Sequence, residues 1–159
     1  MGIKDCHMEQ IVHLDVKHKN ILISSSKNKE LPKVKIADFG LACHLEDGEC
    51  FRLDAGTLGY KAPEIILKEP SDFKSDVWSL GVILYDLLSG EMPFAGSTIK
   101  KVKQSILTKD IDFSGEIWST VSDKCIDLLQ HMLCRDQEAR YDIADVLLHP
   151  WVSQNFQED

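Results

Sequence analysis

The sequence is first informative through what it lacks. Its 159 residues hold no apolar run near the ~18 residues of a membrane span, and no charged-then-apolar signal pattern opens the chain. The five cysteines form no Cys-x-x-Cys pair, which argues against a zinc site and favours reduced thiols in the cytoplasm or nucleus. Lys and Arg number 18 against 26 Asp and Glu, and the net charge of −8 disfavours nucleic acid as a partner. With 43% hydrophobic residues, these features predict one soluble, globular domain.

The distribution of apolar residues predicts a mainly α, α+β fold. Two short stretches rich in Ile, Leu and Val, NILIS and VKIAD, flank the polar run at 24–30, and their length predicts a small hairpin. Beyond Pro63 the spacing becomes helical. Residues 75–90 are apolar nearly all round, which predicts a buried helix with Ser75 as N-cap and Gly90 as its stop. Shorter helices are predicted after polar caps at Ser122 and Asp142, which gives a helical bundle with a small β-hairpin.

Polar residues that suit phosphoryl transfer lie near the N-terminal end. Magnesium takes hard oxygen ligands, which Asn20 and Asp38 supply as an amide and a carboxylate. Transfer to a hydroxyl also needs a carboxylate that orients it and a nearby cation, which are Asp15 and Lys17. A lone Asp-x-Lys or Asp-Phe-Gly is more often a turn than a site. In this order, and followed by GTLGYKAPE at 56–64, they form a highly specific pattern.

With these motifs the chain resembles the C-terminal lobe of the eukaryotic serine/threonine protein kinases. HLDVKHKN at 13–20 is similar to their catalytic loop, DFG at 38–40 to their metal-binding motif and APE at 62–64 to the end of their activation segment. The resemblance continues to HPWV near the C-terminus. It implies that residues 1–159 form the C-terminal lobe of a catalytic domain, with the N-terminal lobe outside the chain. The subgroups most similar are the ULK-type and the calcium/calmodulin-dependent kinases.

The resemblance also implies cofactors, partners and residue roles. The implied cofactors are ATP and Mg²⁺, and the implied partners are a protein substrate with Ser or Thr, the N-terminal lobe and a regulatory domain or subunit. At the reacting groups it implies Asp15 as catalytic base, Lys17 at the transferring phosphate, Asn20 and Asp38 as magnesium ligands, and Leu22 beneath adenine. The implied substrate platform comprises Thr57, bonded to Asp15 and Lys17, with Lys19 and Asp86. The implied structural residues are Glu64 paired with Arg140, Asp76 holding the loop backbone, and His13 stacked with Phe39.

Two departures from the family pattern concern nucleotide binding and regulation. No Gly-x-Gly-x-x-Gly occurs, and VKIA at 34–37 leads directly into Asp38, so it is not the lysine-bearing strand of the other lobe. We therefore expect this chain alone neither to bind ATP tightly nor to transfer phosphate. Leu14 replaces the arginine that reads an activating phosphate (a non-RD loop), and no Ser or Thr lies between Asp38 and Thr57. We expect that phosphorylation there is not the switch and that Asp54 is a fixed negative charge.

A third departure concerns the substrate. Lys19 stands where kinases that favour basic substrates carry glutamate, while Asp86 remains as an acidic contact. Lys19 either repels a basic substrate residue or is a solvated surface lysine.

The sequence is compatible with three functions. The first is a serine/threonine protein kinase, seen as its substrate-binding lobe. The second, a small-molecule phosphotransferase, is disfavoured because those families lack the GTLGYKAPE platform. The third is a truncated or pseudokinase-like interaction module without catalysis. Retention of Asp15, Asn20 and Asp38 argues against a pseudokinase, because a scaffold does not need all three.

Overall fold

The computed structural model describes residues 2–24, 32–45 and 56–154. Within these ranges the helices are α1 (Ile3–Met8), α2 (Pro63–Leu67), α3 (Lys74–Ser89), α4 (Ile99–Thr108), α5 (Asp123–Met132), α6 (Ile143–Leu148) and α7 (Pro150–Ser153). The strands are β1 (Ile11–Val12), β2 (Ile21–Ser24), β3 (Lys33–Ile36) and β4 (Cys43–His44). Short 3₁₀ turns occupy His18–Asn20, Leu58–Tyr60 and Glu116–Thr120. The mainly helical fold with small sheets is the predicted one.

Two antiparallel strand pairs frame the N-terminal part of the chain. The predicted hairpin is confirmed, because β2 pairs with β3 from Ile21↔Ile36 to Ser24↔Lys33. The second pair, β1 with β4, was not predicted, since strands of two residues carry no readable periodicity. Beyond β3, the Ala37 N–H donates to the Asn20 carbonyl at 2.8 Å. This bond ties the start of the DFG segment to the end of the HLDVKHKN loop.

The long helix α3 forms the centre of the core, as its apolar sequence predicts. Trp78 is fully buried and stacks on Phe94, with ring centroids 5.3 Å apart. The helix ends at Gly90, whose φ of +75° is left-handed backbone that favours glycine. The prediction of Ser75 as N-cap is wrong. The helix starts at Lys74, one residue before Ser75. The Ser75 hydroxyl does not cap the helix but donates to the Glu64 carboxylate, in α2, at 2.6 Å.

Side-chain caps fix the starts of α5 and α6 as predicted. The Ser122 hydroxyl accepts from the Cys125 amide at 3.3 Å. Asp142 accepts from the first-turn amides of α6, and Asp145 accepts from the Asp142 amide, which completes a capping box. In the part of the chain that the structure describes, no helix has both the length and the apolarity that crossing a membrane requires.

Among the cysteines that the structure describes, the expectation of reduced thiols is wrong at Cys43. Cys43, in β4, takes part in a disulfide bond. Cys6, Cys125 and Cys134 are free thiols.

Candidate active site

The predicted catalytic carboxylate lies in a closed cycle of three side chains. Lys17 Nζ donates to Asp15 Oδ2 at 2.6 Å and to Thr57 Oγ1 at 2.9 Å, and Thr57 Oγ1 donates to Asp15 Oδ1 at 2.9 Å. Asp15 is only 7% exposed, whereas Thr57 is exposed. The cycle joins the catalytic loop to the segment that starts GTLGYKAPE, which is the contact that the resemblance implied for Thr57.

This cycle lowers the pKa of Asp15. Burial by itself would raise the pKa of the Asp15 carboxyl, but the bonds from Lys17 and Thr57 and the lysine charge outweigh it and lower the pKa. Asp15 is therefore an ionised acceptor at neutral pH. Such a carboxylate is a weak base, and it suits the orientation of a hydroxyl better than early removal of its proton.

The two predicted magnesium ligands present oxygen atoms suited to a hard cation. Asn20 turns its amide nitrogen toward Asp15, donating to the backbone oxygen at 2.9 Å and to Oδ2 at 3.2 Å, so its Oδ1 is directed elsewhere. Asp38 is exposed, has left-handed backbone with φ +64°, and accepts from the Gly40 amide at 3.3 Å. One amide and one carboxylate fit Mg²⁺, which takes its other ligands from water and nucleotide phosphates. Among the described residues, no group of three or more His, Cys, Asp or Glu could hold a metal without such help.

A buried aspartate on α3 holds the backbone of the catalytic loop. Asp76 accepts from the His13 amide at 2.8 Å and from the Leu14 amide at 2.9 Å, at a point where Leu14 has φ +62°. His7 Nε2 lies 3.0 Å from the same carboxylate. Sequence reasoning missed His7, since no pattern in the sequence marks a buried histidine that contacts a residue 69 positions away. Asp76 thus connects helix α1, the loop and the core.

An aromatic contact joins the loop to the DFG segment. The His13 and Phe39 rings lie 4.9 Å apart in an edge-on arrangement, and His13 Nε2 is 3.0 Å from the Ala37 carbonyl oxygen. His13 is fully buried, in agreement with a structural rather than an acid–base histidine. Leu22 is 55% exposed on β2, and its contact with adenine stays a prediction.

The platform segment approaches the catalytic loop through a glycine. Gly56 has φ +84°, and a Cβ at this position would lie 2.4 Å from the Leu14 carbonyl oxygen. Only glycine therefore allows this close approach, which places Thr57 beside Asp15. The Leu14 side chain is 8% exposed and apolar, so it offers no donor to a phosphate.

A buried ion pair holds the end of this segment. Arg140 donates to the two oxygens of Glu64 at 2.8 and 2.9 Å, and the two side chains are 0% and 4% exposed. Burial would raise the pKa of Glu64, but the bonds and charge of Arg140, with a bond from Ser75, lower it. The implied pair is present, and it ties α2 to the segment before α6.

The remaining platform residues are less closely tied to the cycle. Lys19 is exposed in the 3₁₀ turn. Asp86, near the end of α3, lies 3.6 Å from His18 Nε2. Asp54 lies outside the described residues.

Taken as chemistry, the site combines an ionised carboxylate, a lysine and a hydroxyl with two oxygen ligands for a hard cation. These are the groups that phosphoryl transfer to a hydroxyl requires.

Comparison with known proteins identifies the family of the chain. Residues 1–152 match the family described as the protein kinase domain, and the chain belongs to that family. It is 38% identical over 152 residues to death-associated protein kinase 2 of Homo sapiens, covering 96% of this chain and 41% of that protein. It is 40% identical over 150 residues to serine/threonine-protein kinase PEPKR2 of Arabidopsis thaliana, covering 94% of this chain and 31% of that protein. It is 40% identical over 152 residues to calcium-dependent protein kinase 9 of the same plant, covering 96% of this chain and 28% of that protein.

These relatives confirm the predicted resemblance to eukaryotic serine/threonine protein kinases. Of the two predicted subgroups, they favour the calcium/calmodulin-dependent kinases. The chain spans less than half the length of each of these three relatives.

Proposed function

We propose that this chain is the substrate-binding lobe of an enzyme that transfers the γ-phosphoryl group of ATP to a Ser or Thr hydroxyl of a protein. The observation that carries this proposal is the cycle formed by Asp15, Lys17 and Thr57. A carboxylate that only stabilised the loop would not need a lysine and an exposed threonine from another segment. The kinase relatives support the same reading.

Each residue of the cycle has a distinct part in the reaction. Asp15, kept ionised, accepts a hydrogen bond from the incoming hydroxyl and aligns it for in-line attack. Lys17 Nζ, 2.6 Å from Asp15, places a positive charge where negative charge develops on the transferring group. Thr57 holds the platform against both, so that a bound peptide presents its hydroxyl at a fixed distance from Asp15.

The nucleotide and metal would be held at Asn20 and Asp38. Bound Mg-ATP supplies the phosphoryl group and the cation that neutralises its charge. Asp38 offers a carboxylate on left-handed backbone, and Asn20 offers the amide oxygen that its bonds to Asp15 leave directed away. Leu22, exposed on the adjacent strand, is proposed to lie beneath adenine.

We further propose that residues 1–159 do not transfer phosphate by themselves. The sequence holds no glycine-rich phosphate loop. The apolar side chains of Leu22 and Phe39, which are close in sequence to the proposed metal ligands, are 55% and 37% exposed. Exposed apolar side chains of this kind suit a covering nucleotide-binding lobe.

The test compares phosphoryl transfer to a Ser/Thr peptide library by the complete gene product and by residues 1–159, with Mg²⁺ and γ-labelled ATP. We expect transfer by the complete product, at least about 100-fold less in its Asp15→Asn variant, and none by residues 1–159. Asp123→Asn, an exposed aspartate at the start of α5, is the matched control and should keep full activity. An inactive complete product that still binds peptides would favour the interaction module. Robust transfer by residues 1–159 would contradict the second proposal.

A further inference from the structure

Two consecutive residues of the catalytic loop contact one turn of the GTLGYKAPE segment. Lys17 Nζ donates to Thr57 Oγ1 at 2.9 Å, and His18 Nδ1 lies 3.1 Å from the Tyr60 hydroxyl. The first contact belongs to the cycle around Asp15, whereas the second has no part in that cycle. His18 and Tyr60 therefore form a second link between the same two segments.

The local structure of the turn explains why both contacts are possible. Residues 57–60, here called the platform turn, end in the 3₁₀ helix Leu58–Tyr60, and the Tyr60 amide donates to the Thr57 carbonyl at 2.9 Å. Side chains three residues apart lie above one another in a 3₁₀ turn, which agrees with the approach of Thr57 and Tyr60 to the same loop. The Ser79 hydroxyl, from α3, donates to the Tyr60 carbonyl at 2.8 Å and fixes the end of the turn to the core.

The contact between His18 and Tyr60 has the distance and the protons of a hydrogen bond. His18 Nε2 is 3.6 Å from Asp86, which is beyond hydrogen-bond distance, so among the described residues the imidazole bonds Tyr60. Burial, and then the Asp86 charge, raise the pKa of Tyr60, so its hydroxyl keeps its proton. A hydroxyl both donates and accepts, so it can bond Nδ1 whether or not this nitrogen carries a hydrogen. The link is therefore available in each protonation state of His18.

The position of this link gives it an effect on the cycle. Without it, the described side-chain hydrogen bonds between the loop and the platform turn would all meet at Thr57. A turn attached to the loop at one residue can rotate about that residue. A second attachment at Tyr60, three residues further on, fixes its angle, and the Thr57 hydroxyl then stays directed at Asp15.

We propose that His18 is a positioning residue of the transfer reaction: through the Tyr60 hydroxyl it fixes the platform turn against the catalytic loop, and so keeps Thr57 bonded to Asp15 and Lys17. This inference rests on the proposed function, because it assigns the reaction to that cycle. His18 touches none of the cycle residues through the bond described, and its effect passes through Tyr60.

The first experiment measures amide hydrogen exchange by NMR in residues 1–159, and it requires no phosphoryl transfer. His18→Ala should speed exchange of the residue-60 amide by about two- to tenfold, because the turn opens more often without the link. Tyr60→Phe should have the same effect, and the double variant should exchange no faster than either single one. The amides of α3 should be unchanged, which excludes a loss of global stability as the cause.

Two conservative variants test the atom that makes the bond. Asparagine places a polar atom where His18 Nδ1 lies, whereas glutamine reaches the position of Nε2. His18→Asn should therefore restore slow exchange, and His18→Gln should not. His131→Ala is the matched control, because His131 lies on α5, stacks on Tyr141 with ring centroids 4.3 Å apart, and has no contact with the platform turn among the described residues. It should leave the residue-60 amide unchanged.

The second experiment measures kcat/KM of the complete gene product on a serine peptide, relative to the concentration of folded protein. His18→Ala should lower it by about two- to tenfold, with the same rescue by asparagine and not by glutamine. Unchanged exchange in His18→Ala, additive effects of His18→Ala and Tyr60→Phe, or an active kinase whose kcat/KM ignores His18→Ala would each overturn the inference. An inert complete product that shows the expected exchange pattern would instead refute the proposed function.

Discussion

Replacement of Arg140 by methionine tests how the end of the platform segment is held to the core. Its guanidinium donates to both Glu64 oxygens and to the carbonyls of Cys134 and Lys74, at 2.8 and 3.1 Å. In the variant, the buried Glu64 carboxylate would keep the Ser75 hydroxyl as its donor and lose its only described cationic partner. We expect unfolding to become easier by roughly 3–5 kcal/mol at pH 7, because a buried charge is left uncompensated. For a chain of this length the melting temperature would fall by about 6–20 °C.

The pH dependence of this cost follows from the direction of the Glu64 shift. In the wild type, the lowered pKa of Glu64 means that the pair stabilises the protein at neutral pH and that this contribution is lost as the pH falls through that pKa. In Arg140→Met, burial is no longer opposed by the arginine, so the Glu64 carboxyl takes up a proton more readily. The difference between the two proteins should therefore shrink toward pH values of about 4–5.

The assay is urea unfolding at pH 7 and pH 5, followed by tryptophan fluorescence. The Arg140 guanidinium lies 5.0 Å from the Trp78 ring centroid, so this signal reports on the site. Arg135→Met is the matched control, because Arg135 bonds backbone carbonyls but has a fully exposed acidic partner, Asp110. It should cost about 1–2 kcal/mol, with little change between the two pH values. A cost of Arg140→Met no greater than that of Arg135→Met at pH 7 would refute the stabilising role of the buried pair.

Three other changes test the loop, the platform and a helix start. Gly56→Ala should lower the free energy of unfolding in urea by about 1–3 kcal/mol, because the φ of +84° and the 2.4 Å approach to the Leu14 carbonyl oxygen exclude a Cβ. Gly115→Ala should be near neutral. Equal costs of the two substitutions would contradict this prediction. Thr57→Val should move the acid limb of the pH–rate profile of the complete kinase to higher pH, because the Thr57 hydroxyl helps to lower the pKa of Asp15. Thr57→Ser keeps the hydroxyl and should leave the acid limb in place. An acid limb that Thr57→Val does not move would contradict the role of the cycle. Asp142→Ala should lower stability by about 1 kcal/mol through loss of the α6 cap, and no loss would show that the cap is dispensable.

Features that depend on neighbouring residues were predictable from the sequence. The hairpin followed from two β-rich stretches around a polar run, and the caps at Ser122 and Asp142 followed from residue type and spacing. The polar residues of the catalytic loop were recognised because their order and spacing recur in one family. Ser75 shows the limit of such reasoning. It has the residue type of a cap, but its hydroxyl bonds Glu64, and no local pattern states which partner a side chain will meet.

By itself, the sequence determined the class of chain, the mainly helical fold and the identity of the loop residues, because these depend on composition, periodicity and short motifs. The tertiary structure alone decided which distant groups meet. It placed His7 against Asp76, brought the Gly56 backbone onto the Leu14 carbonyl, and set His18 between Tyr60 and Asp86. Such contacts depend on the relative placement of packed elements, which the spacing of residues along the chain does not encode. The lowered pKa of Asp15 belongs to the same group, because burial opposes it and bonds from Lys17 and from Thr57, in another segment, outweigh the burial.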